Sequence, residues 1–171
     1  MHVSVLTAAQ VSEAIPRFAN ILIDAVADGA GVSFMYPLAE PDAEQFWREE
    51  LPSVNAERTF ILACKDERRN IMGLVMLQRA WAPNQPHRAD VTKLLVHRDF
   101  RRQGVASALI QKLEKHAQSI GLTLLTFDAV AGGGTEKFYR TMGYQPVGIV
   151  PGYAYSGTGR LDDTMFFYKQ L

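Results

Sequence analysis

Apolar residues recur along this chain with two periods, and the changes between them mark out its elements. From Val91 to Val96 the residues are mostly apolar or β-branched, with Lys93 the only charge, which predicts a largely buried strand. Ala106, Leu109, Ile110, Leu113, Ala117 and Ile120 then fall at three- and four-residue steps. Gln111, Lys112, Glu114, Lys115, Gln118 and Ser119 fill the opposite side, so an amphipathic helix is expected. Gly121 follows, where tolerance of the left-handed conformation lets glycine end a helix.

The same reading extends to both ends. His2 to Leu6 roughly alternate and predict a short strand; Ile15, Phe18, Leu22, Ala25 and Val26 share a helical face, with Pro16 near the helix start. Asp28-Gly29-Ala30-Gly31 ends that helix, and Phe34 and Met35 follow in a loop. A second helix is predicted from Pro41 towards Leu51, with Phe46 and Trp47 inward and Pro52 closing it. Thr59–Lys65 and Ile71–Gln78 are apolar runs joined by the charged turn 66–70, an antiparallel hairpin. Pro83 and Pro86 make Trp81 to Arg88 a loop. Thr123 to Phe127 reads as a strand ending at Asp128. Thr135 is the expected N-cap of a helix that runs through Met142 and stops at Gly143. Val147–Val150 and Met165–Tyr168 read as the last strands, with a long Gly-, Tyr- and Ser-containing loop between them.

Composition narrows the class. The chain has 171 residues, enough for a real core, and neither repeat nor linker divides it, so residues 1–171 are expected to form one domain. Eighteen basic residues balance 18 acidic ones, which leaves no global field to draw in nucleic acid. The lone cysteine, Cys64, lies in an apolar run and suits packing better than nucleophilic chemistry. The opening Met-His-Val-Ser-Val-Leu has no secretory-leader pattern, and no apolar run approaches a membrane span. A cytoplasmic protein with no membrane partner is expected. His2, His87 and His116 have no metal-ligand spacing, so no metal site is predicted; His97, beside Arg98 in a polar loop, reads as a surface residue.

The junction between the central strand and helix, Arg101-Arg102-Gln103-Gly104-Val105-Ala106-Ser107, can carry chemistry. The first turn of a helix leaves backbone N–H groups without partners, and the helix dipole adds positive potential. A pyrophosphate can take those donors where Gly104 and Ala106 let it approach, and Arg101 and Arg102 add charge and forked donors.

Arg101-x-x-Gly104-x-Ala106, placed after a strand and opening a helix, resembles the R/Q-x-x-G-x-G/A signature of the GNAT N-acetyltransferases. Phe138-Tyr139-x-x-Met142-Gly143-Tyr144 resembles that family's helix-end pattern. The resemblance implies an α/β fold with a central mixed sheet and helices on both faces. It implies acetyl-CoA as co-substrate, with its pyrophosphate on the 101–107 loop and its pantetheine arm beside the backbone of Leu94, Leu95 and Val96. The N–H of Leu95 or Val96 would polarise the thioester carbonyl. The strand ending at Asp128 should run parallel to the central strand and splay from it.

Acetylating an amine requires proton removal from the acceptor and protonation of the leaving thiolate. Asp128 and Asp90 are the candidate proton acceptors, Asp90 with the competing role of a solvated strand end beside Arg88. Tyr139 is the candidate acid, since the resemblance places a tyrosine of this helix near the coenzyme sulfur. Phe138 and Tyr139 point about 100° apart on a helix, which suits one packing and one site aromatic.

A narrower likeness, to the tabtoxin-resistance acetyltransferases, rests on Gly29-Ala30-Gly31-Val32-Ser33-Phe34-Met35, Arg88-Ala89-Asp90-Val91-x-Lys93-Leu94, Pro151-Gly152-Tyr153, Gly159-Arg160-Leu161 and Tyr168-Lys169-x-Leu171. It implies a small amino-acid-like acceptor, hence a toxin-resistance role, with Asp90, Asp128 and Tyr139 at functional positions. Those enzymes carry Glu where this chain has Asp90. A protein N-terminus or lysine as acceptor, or a non-catalytic acyl-CoA sensor, stays open, as does a homodimer.

Overall fold

The computed structural model describes residues 1–171. In chain order it contains β1 (His2–Val5), α1 (Ala8–Ala27), α2 (Glu40–Asn55), β2 (Thr59–Lys65), β3 (Ile71–Arg79), β4 (Arg88–Val96), α3 (Val105–Ser119), β5 (Leu124–Val130), α4 (Gly134–Thr141), β6 (Gln145–Tyr155) and β7 (Leu161–Gln170). A 3₁₀ turn at Arg98–Phe100 links β4 to the loop before α3.

All strands join one seven-stranded sheet in the order β1-β2-β3-β4-β5-β7-β6. Only β4 and β5 run parallel. This is the mixed α/β sheet expected from the sequence. The middle strands read as unbroken apolar runs because both their faces are buried. Ile61 and Ala63 point into a core under α1 and α2, while Leu62 and Cys64 point into a second core under α3. Along β3, Leu74 and Met76 alternate in the same way with Val75 and Leu77. No helix is long and apolar enough to cross a membrane.

Several boundaries differ from the sequence reading, each for a local reason. α1 begins at Ala8, seven residues before the first residue of the predicted face, because Thr7 and Gln10 form a reciprocal capping box. Pro16 therefore lies inside the helix. It is exposed, and so is Ser12, whose carbonyl it cannot bond. Pro52 likewise sits within α2, on its exposed side, instead of ending it. β4 starts at Arg88 and β5 runs to Val130, so Asp90 and Asp128 are strand residues and not strand ends. Thr135 is not an N-cap: Gly133 holds that position, and the Glu136 carboxylate accepts from the Gly132 N–H at 3.0 Å. The predicted loop between the last strands is mostly strand, since β6 and β7 form a long hairpin closed by residues 156–160. Successive register shifts let β6 accommodate Pro146, Pro151 and Gly152.

Three helices end on glycine with the paired bonds of a Schellman motif. In α4 the Gly143 N–H donates to the Arg140 carbonyl and the Tyr144 N–H to the Tyr139 carbonyl. The rings of Tyr139 and Tyr144 supply the accompanying apolar contact, 5.6 Å between centroids. That contact explains why an aromatic residue follows the stop glycine.

Candidate active site

β4 and β5 pair only at Arg88–Leu124, Ala89–Leu125 and Asp90–Thr126. Beyond Thr126, β5 pairs with β7 on its other side, and the β4-facing side is free. A cleft therefore opens between two parallel strands. Its β4 wall can be oriented from the ladder. The His97 N–H donates to the Met72 carbonyl on β3, so His97 and Leu95 turn their backbone groups towards β3. By alternation, Leu94 and Val96 turn theirs towards the cleft. Of the two amides offered as carbonyl polarisers, the Val96 N–H has this orientation and the Leu95 N–H has not.

At the mouth of the cleft the backbone N–H groups from Arg102 to Ser107 have no protein acceptor. Gly104, φ +82°, is the N-cap of α3 and provides no side-chain cap. A Cβ at Gly104 would meet no protein atom within 4 Å, so the space above this amide row is open. Arg102 also has a positive φ of 60° and an exposed, unpaired guanidinium. Open amides at a helix N-terminus with a free arginine fit a pyrophosphate.

Arg101 behaves differently from the expectation of a free cation. Its guanidinium donates to the Val96 carbonyl (3.1 Å), to Asp28 (2.5 Å) and to Asp24 (3.3 Å). Asp24, buried on α1, also accepts from the Arg98 backbone N–H at 3.0 Å and from the Arg98 guanidinium. Burial raises the Asp24 pKa, but the Arg98 bonds and charge outweigh it and the net shift is downward. Asp24 thus ties α1 to both ends of the turn that aims the amide row. The sequence reading missed it because an acid on an apolar helix face has no local signature. His97 is not a surface residue either: its side chain is only 15% exposed, and Nδ1 accepts from the Asp99 N–H to start the 3₁₀ turn.

The three predicted catalytic residues flank the cleft in unequal states. Asp90 is bound: Arg88 donates to it at 2.5 Å and the Thr126 hydroxyl also donates to it. Arg88 further donates to the Thr126 oxygen (2.6 Å) and to Gln85 (3.1 Å). The bonds from Arg88 and Thr126 to Asp90 both fall on Oδ1, so that oxygen of the carboxylate is already engaged. Asp128 takes part in no ion pair and its side chain accepts from no other residue; desolvation by its surroundings pushes its pKa up, against smaller lowering effects from its own backbone N–H and Lys93. Tyr139 packs its ring against Phe127 at 4.0 Å, within a cluster that includes Tyr144 and Phe167. Its hydroxyl makes no hydrogen bond within the protein. Burial, then the nearby Asp128 charge, raises its pKa, so it is a neutral donor at pH 7. The division of labour differs from one packing and one site aromatic: Tyr139 is the more buried of the pair, and Phe138 is half-buried beside it.

One side of the cleft is walled by three segments. Phe34, from the α1–α2 loop, meets Phe46 of α2 edge-on at 5.2 Å. The β6–β7 turn reaches the same loop, where the Tyr36 N–H donates to the Gly157 carbonyl at 2.7 Å.

Similarity to known proteins agrees with this geometry. A model of the acetyltransferase (GNAT) family matches residues 25–144. The fold superposes on the ribosomal-protein-alanine N-acetyltransferase of Brucella melitensis with a TM-score of 0.77 at 18% identity, covering 100% of both chains. A protein provisionally named a phosphinothricin N-acetyltransferase gives 0.81 at 18% identity, over 99% of this chain and 98% of that one. A Salmonella typhimurium structure with its cofactor acetyl-CoA gives 0.77 at 13% identity, over 100% and 94%. The family uses acetyl-CoA as acyl donor, and the open amide row of residues 102–107 fits its pyrophosphate. The chain belongs to the GNAT family of acetyltransferases.

Proposed function

We propose that the protein is a cytoplasmic enzyme that transfers acetyl directly from acetyl-CoA to the primary amine of a small, amino-acid-like toxin or metabolite. The observation that supports this most is the pair of unspent groups at the cleft: the unpaired Asp128 carboxylate and the free Tyr139 hydroxyl on adjacent elements. Asp128, its pKa raised, takes the proton of the acceptor ammonium directly or through water. Tyr139 donates to the coenzyme sulfur as negative charge builds there, and the Val96 N–H polarises the carbonyl. Asp90 holds Arg88 and Thr126 in place at the point where the strands part.

The name of the phosphinothricin enzyme, a fold relative, is compatible with an amino-acid-like acceptor. The test is a screen of amines and peptides with detection of free thiol. Turnover of small amino-acid-like amines is expected. Turnover of peptides alone would make the acceptor a protein N-terminus or lysine, and coenzyme binding without thiol release would make the domain a sensor.

A further inference from the structure

Lys93 occupies the most unusual position in β4. Regular alternation would send it to the same face as Val91, into the core under α3. Instead the β3–β4 register shifts between Leu74 and Met76, and Lys93 takes a φ of +51°. That conformation is costly for a side chain with a Cβ. The bulge turns Lys93 to the opposite face, where Nζ stands 5.8 Å from the Phe34 ring centroid and 5.4 Å from that of Phe46.

There the ammonium is largely desolvated but unspent. It makes no hydrogen bond, and no carboxylate lies within ion-pairing distance. Burial lowers its pKa, while Glu50 on α2 and Asp128 on β5 act on it from farther off in the opposite sense. Glu50 is itself pushed upward by burial. Three donors of an ammonium are therefore available on the acceptor side of the cleft, close enough to Asp128 to feel its charge.

We propose that Lys93 reads an anionic group on the acceptor, so that the substrate is an α-amino acid or close analogue whose carboxylate is held by Lys93 while its amine faces Asp128. This deepens the reading of Asp128 as proton acceptor and rests on it. A carboxylate arriving at Lys93 supplies the partner that the fold withholds, and the Phe34–Phe46 pair shields the contact from water. An uncharged amine would leave the ammonium unpaired, and a diamine would place its second cation against it.

The experiment compares kcat/KM for a panel of α-amino acids with that for their carboxamides, in wild type, Lys93→Met and Lys93→Arg. Wild type should prefer the acid by about tenfold or more, the ratio expected of one charge-assisted contact. Lys93→Met should abolish the preference, and Lys93→Arg should keep most of it. Melting curves and the acetyl-CoA KM confirm that each variant is folded and loads its donor. Equal use of acid and amide by wild type, an unchanged preference in Lys93→Met, or turnover of other amines but no amino acid would each overturn the proposal. Failure of the base assignment shows separately, as wild-type kcat in Asp128→Asn with the acid preference intact.

Discussion

A phenol whose ring is packed and whose hydroxyl is unspent can be tested by removing one oxygen atom. Tyr139→Phe keeps the contacts with Phe127 and Tyr144 and deletes only the donor. Loss of an acid–base group typically costs about 10²–10⁴ in rate, so kcat should fall by at least about tenfold. The melting temperature should hardly move, because no internal hydrogen bond is lost. Normal turnover at saturation would leave Tyr139 a packing residue and water the proton source. The two carboxylates should separate just as cleanly. Asp128→Asn should lower kcat and spare acetyl-CoA binding. In wild type the rate should fall as pH drops through the Asp128 pKa, which lies above the ordinary aspartate value because of desolvation. Asp90→Asn should act mainly on stability, because it weakens the hold on Arg88 and Thr126. If Asp90→Asn proves the slower enzyme at equal stability, the roles are reversed.

Among the elements, the strand–loop–helix from β4 to α3 was legible because its signals are local. Apolar runs, a glycine before the helix and a glycine after it each have a backbone reason, and the Schellman bonds at Gly121 and Gly143 are what those glycines permit. What stayed hidden depends on contacts across the chain. Asp24 lies 77 positions from Arg101, and no pattern in either segment announces the other. The bulge at Lys93 is a register event between two strands, invisible in the composition of one. Proline misleads at the start of α1 and at the end of α2, since Pro16 and Pro52 both sit on exposed helix sides where the missing hydrogen bond is tolerated, whereas Pro41 does mark the start of α2. Two variants test this loop. Gly104→Val should weaken acetyl-CoA binding by tenfold or more, both by filling the open space above the amides and by straining φ +82°. Asp24→Asn should raise the acetyl-CoA KM more than it lowers kcat, because it loosens the frame of the amide row and not the reacting groups. Calorimetry showing unchanged coenzyme affinity in folded Gly104→Val would remove the pyrophosphate from this loop.

For the whole molecule, Asp24 and Asp128 impose opposite dependences of stability on pH. Folding lowers the Asp24 pKa, since Arg98 outweighs the effect of burial. The native state then binds its proton less tightly than the unfolded chain does. Its contribution is complete above the unfolded value of about 3.9 and is lost as pH falls through the lower folded pKa. Folding raises the Asp128 pKa, so its protonated form is the stable one in the native state. Stability from that group is complete below the unfolded value and is lost as pH rises through the folded pKa. At pH 7 the first acid supports the fold and the second opposes it. Asp24→Asn should therefore cost about 2 kcal/mol at pH 7, or roughly 4–8 °C in melting temperature for a domain of this size. Its deficit should shrink as pH falls below about 4. Asp128 is exposed, so solvent screens this effect: Asp128→Asn should raise the melting temperature at pH 7 only slightly while lowering turnover, and the gain should vanish in acid. Such a trade is expected where a site holds an ionised group that the fold would rather protonate. Melting curves of wild type and both variants between pH 7 and 3 check this directly. Parallel curves for wild type and Asp128→Asn would mean that Asp128 is fully solvated, and the case for it as the base would fall with its raised pKa.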